Sequence, residues 1–166
     1  MDNMLFLLCP TDSLQSKINT VSKCKNYFYT SLGNSFNFDD KIITEIKELI
    51  QKHTINEIYF VLSNDNKIVL DALEGQSFSE IKGLKRFYKE IEKDKMLLKI
   101  LTNTENNNFS IISFYLNKKI KALKHKLEDN LVSQPVKIYG KIYNKEKKSF
   151  MNIFSNLNGL EKFRWN

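Results

Sequence analysis

Long hydrophobic runs are missing from this chain of 166 residues. The longest, Met4–Leu8 and Ile58–Leu62, are far too short to cross a bilayer. The N-terminus enters its first apolar run almost at once, with no basic n-region, which argues against a signal peptide. Cysteine is scarce: Cys9 and Cys24 are the only two, which excludes a disulfide scaffold and leaves the cytoplasm as the expected compartment. Arginine is scarcer still relative to lysine, with only Arg86 and Arg164 among 26 basic residues. Arginine is the usual choice for bidentate phosphate contacts. The net charge of +7 therefore reads as a Lys-, Asn- and Ile-rich base-composition bias, and it argues against nucleic acid as the partner. The hydrophobic share of 42% and charged share of 27% exclude a disordered chain.

The chain alternates strand and helix signals. MLFLLC, residues 4–9, is a run apolar at every position and ended by Pro10, the pattern of a strand buried on both faces. Residues 13–24 suggest a short helix. YFYT at 27–30 forms a second strand that ends in the turn residues Ser31, Leu32, Gly33 and Asn34. A helix capped by Asn37 or Asp39 runs to about His53, with Ile42, Ile46, Leu49, Ile50 and His53 on one face. IYFVL within 57–62 is the third strand, and the βαβ order implies a parallel sheet with right-handed crossovers. A short helix over 66–73 ends near Gly75. Another follows Ser77 or Ser79 through Leu84, Phe87, Tyr88 and Ile91, and a long one carries Phe109, Ile112, Leu116, Ile120, Leu123 and Leu127. After Pro135 the period changes to two: 136–143 reads as a strand, and SFMNIF pairs back on it as an antiparallel edge over 148–154. One domain over 1–155 is expected, with a tail over 156–166 whose Leu160, Phe163 and Trp165 could dock on the domain or on a neighbouring subunit.

Three stretches, in order, resemble the β-class carbonic anhydrases. IYGKIYNKEKKSF (138–150) looks like that family's final strand pair, Ile/Val-His-Gly-Trp-x-Tyr-Asp followed by a turn; Tyr139 and Lys141 replace its His and Trp. YTSLGN (29–34) is similar to the family's Arg-Asn-Ala-Gly-Asn loop, keeping Gly33 and Asn34. EIYFVLSNDNKIVLDAL (57–73) aligns with strand–Gly-His-x-x-Cys-Gly–helix. The resemblance implies a three-layer α/β/α fold with a mostly parallel central sheet and an antiparallel edge strand, and a homodimer. It also implies zinc held by two Cys and one His with a water in the fourth position, made acidic enough to supply hydroxide near neutral pH. Carried across, the first Cys falls on Cys9, the His on Asn64 and the second Cys on Lys67. The family's Asp–Arg pair falls on Thr11 and Ser13, with Asp12 one position out of phase.

One ligand of three remains, and a lone thiolate beside an ammonium does not hold a dication. The expected function is that of a catalytically inactive carbonic-anhydrase-like protein, without a cofactor, that acts by binding. Its relic pocket would comprise Cys9, Thr11, Asp12, Asn34, Asn64, Asp65 and Lys67, with Lys67 replacing the metal's charge for a small anion such as bicarbonate; a protein partner is the other candidate. The plain reading of Asn34, Asn64, Asp65 and Asn66 is that they terminate strands and cap the next helix. An unorthodox carbonic anhydrase or hydrolase using Cys9 with Asp12 or Asp65 is an alternative. So is a basic module that binds an acidic partner or nucleic acid through Lys118, Lys121 and His125, a run otherwise expected to be a solvated helix face. Cys9, Cys24, His53 and His125 have no recognised zinc spacing.

Overall fold

The computed structural model describes residues 3–102, 107–128 and 135–154. Five strands form one sheet in the order β2-β1-β3-β4-β5: β1 (Asn3–Leu8), β2 (Lys25–Thr30), β3 (Ile55–Ser63), β4 (Lys137–Asn144) and β5 (Ser149–Asn152). The first four run parallel, and β5 pairs antiparallel with β4. Alternate side chains of the central strands enter different cores, as the pleat requires. Leu5, Leu7, Ile58, Phe60 and Leu62 face one side; Phe6, Leu8 and Val61 face the other.

The helices are α1 (Gln15–Val21), α2 (Asp40–His53), α3 (Lys67–Glu74), α4 (Leu84–Thr102) and α5 (Asn108–Glu128), with short 3-10 turns at Pro10–Asp12 and Leu32–Asn34. α1 lays Ile18 on the Phe6 face, while α2 to α5 build the larger core on the Leu5 face. The sheet grows one way from β1 to β2 and back the other way to β3. Crossovers of constant hand must then place α1 and α2 on opposite faces. The three layers are therefore unequal, with a single short helix as one of them. The reversal also leaves a crevice at the carboxyl ends of β1 and β3, the switch point where ligands of open α/β sheets bind.

Local chemistry sets the ends of these elements. Asp39 caps α2 by accepting from the Ile42 N–H, and Thr54 stops it in a left-handed conformation. Its buried stripe is Ile43, Ile46 and Ile50, with Ile42 and Leu49 half-buried at the margin; His53 stacks on Tyr27 with ring centroids 4.1 Å apart. Several boundaries differ from those read in the sequence. Pro10 opens a 3-10 turn directly after β1, so α1 is confined to 15–21 rather than 13–24. α4 starts at Leu84 rather than after Ser77 or Ser79, because Gln76 and Gly83 take positive φ and the Asp71 carboxylate holds the Ser77 and Phe78 N–H groups in a turn. The antiparallel edge ends at Asn152, not 154. Past the strand, Ile153 still donates its N–H to the Gly140 carbonyl at 3.5 Å, its side chain sits over Gly140, where an added Cβ would lie 2.5 Å from its Cδ1, and Phe154 packs edge-on against Phe109. Among the described residues no helix is long and apolar enough to cross a membrane. The tail at 156–166, with Leu160, Phe163 and Trp165, lies outside the described residues.

Candidate functional site

Three short loops, following β1, β2 and β3, meet at the β1–β3 crevice. Cys9, the residue after β1, is buried; its sulfur accepts the Gly33 N–H at 3.1 Å and lies 3.0 Å from the Thr11 hydroxyl. Gly33 has φ +60, and a Cβ there would stand 2.8 Å from the Phe87 ring. Only glycine fits both the backbone and the space. Asn34 follows, fully buried, its amide nitrogen donating to the Val61 carbonyl at 2.9 Å and its own carbonyl accepting from the Tyr115 hydroxyl at 3.0 Å.

Asp12 is the hub of the crevice. One carboxylate oxygen accepts the Ser63 N–H and the other the Asn66 side-chain amide, each at 2.8 Å. Burial pushes its carboxyl above the usual range, and the two hydrogen bonds offset part of that. Asn66 is fully buried and caps α3: its oxygen accepts from the Ile68 and Val69 N–H groups at 3.1 and 2.9 Å. Those two bonds fix the orientation of the amide, so its nitrogen must face Asp12.

Asn64 and Asp65 turn towards the β4–β5 hairpin. The Asn64 side-chain oxygen accepts the Lys145 N–H at 3.2 Å, and its backbone N–H donates to the Tyr143 carbonyl at 2.9 Å. Asp65 accepts from the Ser63 hydroxyl and from the Lys145 ammonium, the latter at 2.9 Å. Burial would raise its carboxyl, but these two partners outweigh that and hold it below the usual range. Lys67 is exposed and lines a separate shallow depression with Leu70, Asp71, Glu74 and Phe78. The structure thus joins Cys9, Thr11 and Asp12, places Asn34 alongside through Gly33, and points Asn64, Asp65 and Lys67 elsewhere. Ser63 and Asn66 belong to the Asp12 cluster though neither was placed in the pocket from the sequence, and Lys145 holds Asn64 and Asp65 towards the hairpin.

The lysine-rich run is not a plain solvated face. Lys118, Lys121 and His125 line a groove of about 790 Å³ between α4, α5 and residues 36–39. The Lys118 ammonium pairs at 2.7 Å with Asp94, whose side chain is 1% exposed. Burial pushes the Asp94 carboxyl up to about 6, with Lys118 offsetting part of the effect. Lys119 reaches the Phe36 carbonyl at 3.2 Å and Glu90 at 3.5 Å. Asp94 carried a signal in the sequence: Phe87, Ile91, Asp94 and Leu98 share one helical stripe, and an acid on an apolar stripe must be buried with a partner.

Solved structures share this architecture. The β-carbonic anhydrase CafA of the fungal pathogen Aspergillus fumigatus superposes with a TM-score of 0.72 at 12% identity, over 97% of this chain and 80% of its own. CafD of the same fungus gives 0.71 at 16% identity, over 93% and 90%. A tetrameric β-carbonic anhydrase of Sordaria macrospora gives 0.71 at 11%, over 91% and 80%. The fold is that of the β-carbonic anhydrases. No family model and no curated protein matches the sequence. In this fold, the β1–β3 crevice holds Cys9 and the Asp12 cluster. Among the described residues no group of three or more His, Cys, Asp or Glu side chains is placed to hold a metal ion.

Proposed function

We propose that this chain is a carbonic-anhydrase-like protein without carbonic anhydrase activity, acting by binding an anionic ligand or a protein partner. The observation that carries the reading is the wiring of the crevice. The residues present do not fit zinc: an amide accepting the Lys145 N–H and an exposed ammonium are not donors for it, and zinc sites need several thiolate, imidazole or carboxylate ligands. Asp12, the carboxylate nearest to Cys9 in sequence, is committed to Ser63 and Asn66, while the Cys9 sulfur is held by Gly33 and Thr11. That arrangement supplies neither a metal-bound hydroxide nor a base on the thiol. In the cytoplasm such a chain would work as a homodimer, the assembly its resemblance implies.

The test is a metal assay on protein purified without chelator, paired with stopped-flow carbon dioxide hydration and light scattering for the assembly. Substoichiometric zinc and no rate above buffer are expected. Stoichiometric zinc with hydration activity overturns the proposal.

A further inference from the structure

The groove between α4 and α5 shares no lining residue with the Cys9–Asp12 crevice. Its volume of about 790 Å³ lies in the range of small-molecule sites. Among the described residues, six Lys or Arg side chains line it against three Asp or Glu. A solvated helix face would hold its lysines out in water. Here the side chains of Lys118 and Lys119 are only 31% and 12% exposed, and their ammonium groups lie 5.8 and 5.3 Å from the Phe114 and Tyr115 ring centroids. The stems form a wall, and Arg86 stands near it, bonded to Glu90 and Asn37. A second feature is independent of charge. Asp94 also lines the groove and is fully buried; one of its oxygens takes Lys118, and the other has no hydrogen-bond partner among the described residues. A buried acceptor left unpaired is costly, so a donor from outside the protein would be favoured there.

We infer that this groove binds a small hydroxylated organic anion, of the sugar-phosphate or hydroxy-acid kind. Its charged group is set against Lys119, Lys121 and Arg86, and its hydroxyl donates to Asp94. The inference builds on the reading that the chain works by binding, and it places the ligand outside the β1–β3 crevice. Surplus positive charge supplies the attraction and makes it salt-dependent. A hydroxyl several bonds away from the charged group separates such a ligand from inorganic phosphate or bicarbonate, whose O–H sits on the charged group itself.

Calorimetric titration of the full chain with ribose 5-phosphate, citrate and inorganic phosphate tests it. At least one hydroxylated anion is expected to bind on the order of tenfold tighter than inorganic phosphate, the difference one hydrogen bond to a charged group makes. The two arms tell a phosphate ester from a carboxylate. Lys119→Met keeps the stem and removes the charge, and Lys121→Glu reverses the charge at an exposed position; each is expected to weaken binding by about tenfold. Lys147→Met, at an exposed turn position outside the groove, is expected to leave binding unchanged. No heat from either hydroxylated anion at millimolar concentration, inorganic phosphate binding as tightly as both, indifference to both lysine substitutions, or loss of binding in Lys147→Met overturns the inference. The zinc and hydration assays involve none of these lysines, so they decide the proposed function separately.

Discussion

Asp94 should make the protein less stable as the pH rises from about 4 through about 6, and replacing it with Asn should remove that dependence. Its carboxyl is pushed from an ordinary 3.8 to about 6 by burial, with Lys118 offsetting part of the effect and Glu90 adding to it. A carboxyl raised in the folded state binds protons more readily there than in the unfolded chain. Its contribution to stability is full below the unfolded value and is lost as the pH climbs through about 6. Each pKa unit corresponds to about 1.4 kcal/mol, so the whole effect is about 3 kcal/mol, and about 2 kcal/mol of it falls between pH 4.5 and 8. Solvent screening takes little from this, because the side chain is 1% exposed. The assay is urea unfolding of the native chain and of Asp94→Asn at several pH values across that range, with the difference in unfolding free energy plotted against pH. The wild type should lose about 2 kcal/mol relative to the variant on going from pH 4.5 to 8. Parallel curves would refute the reasoning, since the buried carboxylate would then be no harder to ionise in the fold than in water.

Other substitutions probe the crevice and the sheet. Asp12→Ala removes both acceptors and strands the Ser63 N–H; a loss of about 2–4 kcal/mol by urea unfolding is expected, and a loss near zero would mean that the cluster contributes nothing to holding the loops together. Gly33→Ala should cost more than Gly140→Ala: the first meets an aromatic ring at φ +60, the second mainly the end of the Ile153 side chain, which can turn away. A cost of about 1–3 kcal/mol at Gly33 is expected, and the reverse order in thermal melts would contradict the packing described. Zinc chloride added to the chelator-treated protein should leave the melting midpoint unchanged, since a ligand that binds only the folded state must raise it.

Much of the fold was legible because its signals are local. The apolar runs of β1 and β3, the switch to a two-residue period at Val136 and the Asp39 cap each follow from a few neighbouring residues; the order of the strands in the sheet does not, and only the fold shows it. The crevice was legible in place but not in wiring. Asn66 reads in sequence as one more turn residue; that its amide is held by α3 on one side and by Asp12 on the other depends on two loops more than fifty residues apart in the chain. Lys67 shows the same limit. The resemblance assigns it only a backbone position, while the side chain of the first residue of α3 leaves for solvent. The start of α4 was misplaced because Gly83 reads as a tolerable helix residue, and only the fold gives it a positive φ.

The fastening of Asn66 also limits how a metal site could be built into this molecule. Placing His at 64 and Cys at 67 would supply the side chains that the resemblance implies, yet both positions lie beside a residue that simultaneously starts a helix and clasps the neighbouring loop. Asp12 would remain where it is, bonded to Ser63 and Asn66. Building a metal site there would thus begin by unpicking a carboxylate from the helix start, a change of architecture before it is a change of ligands.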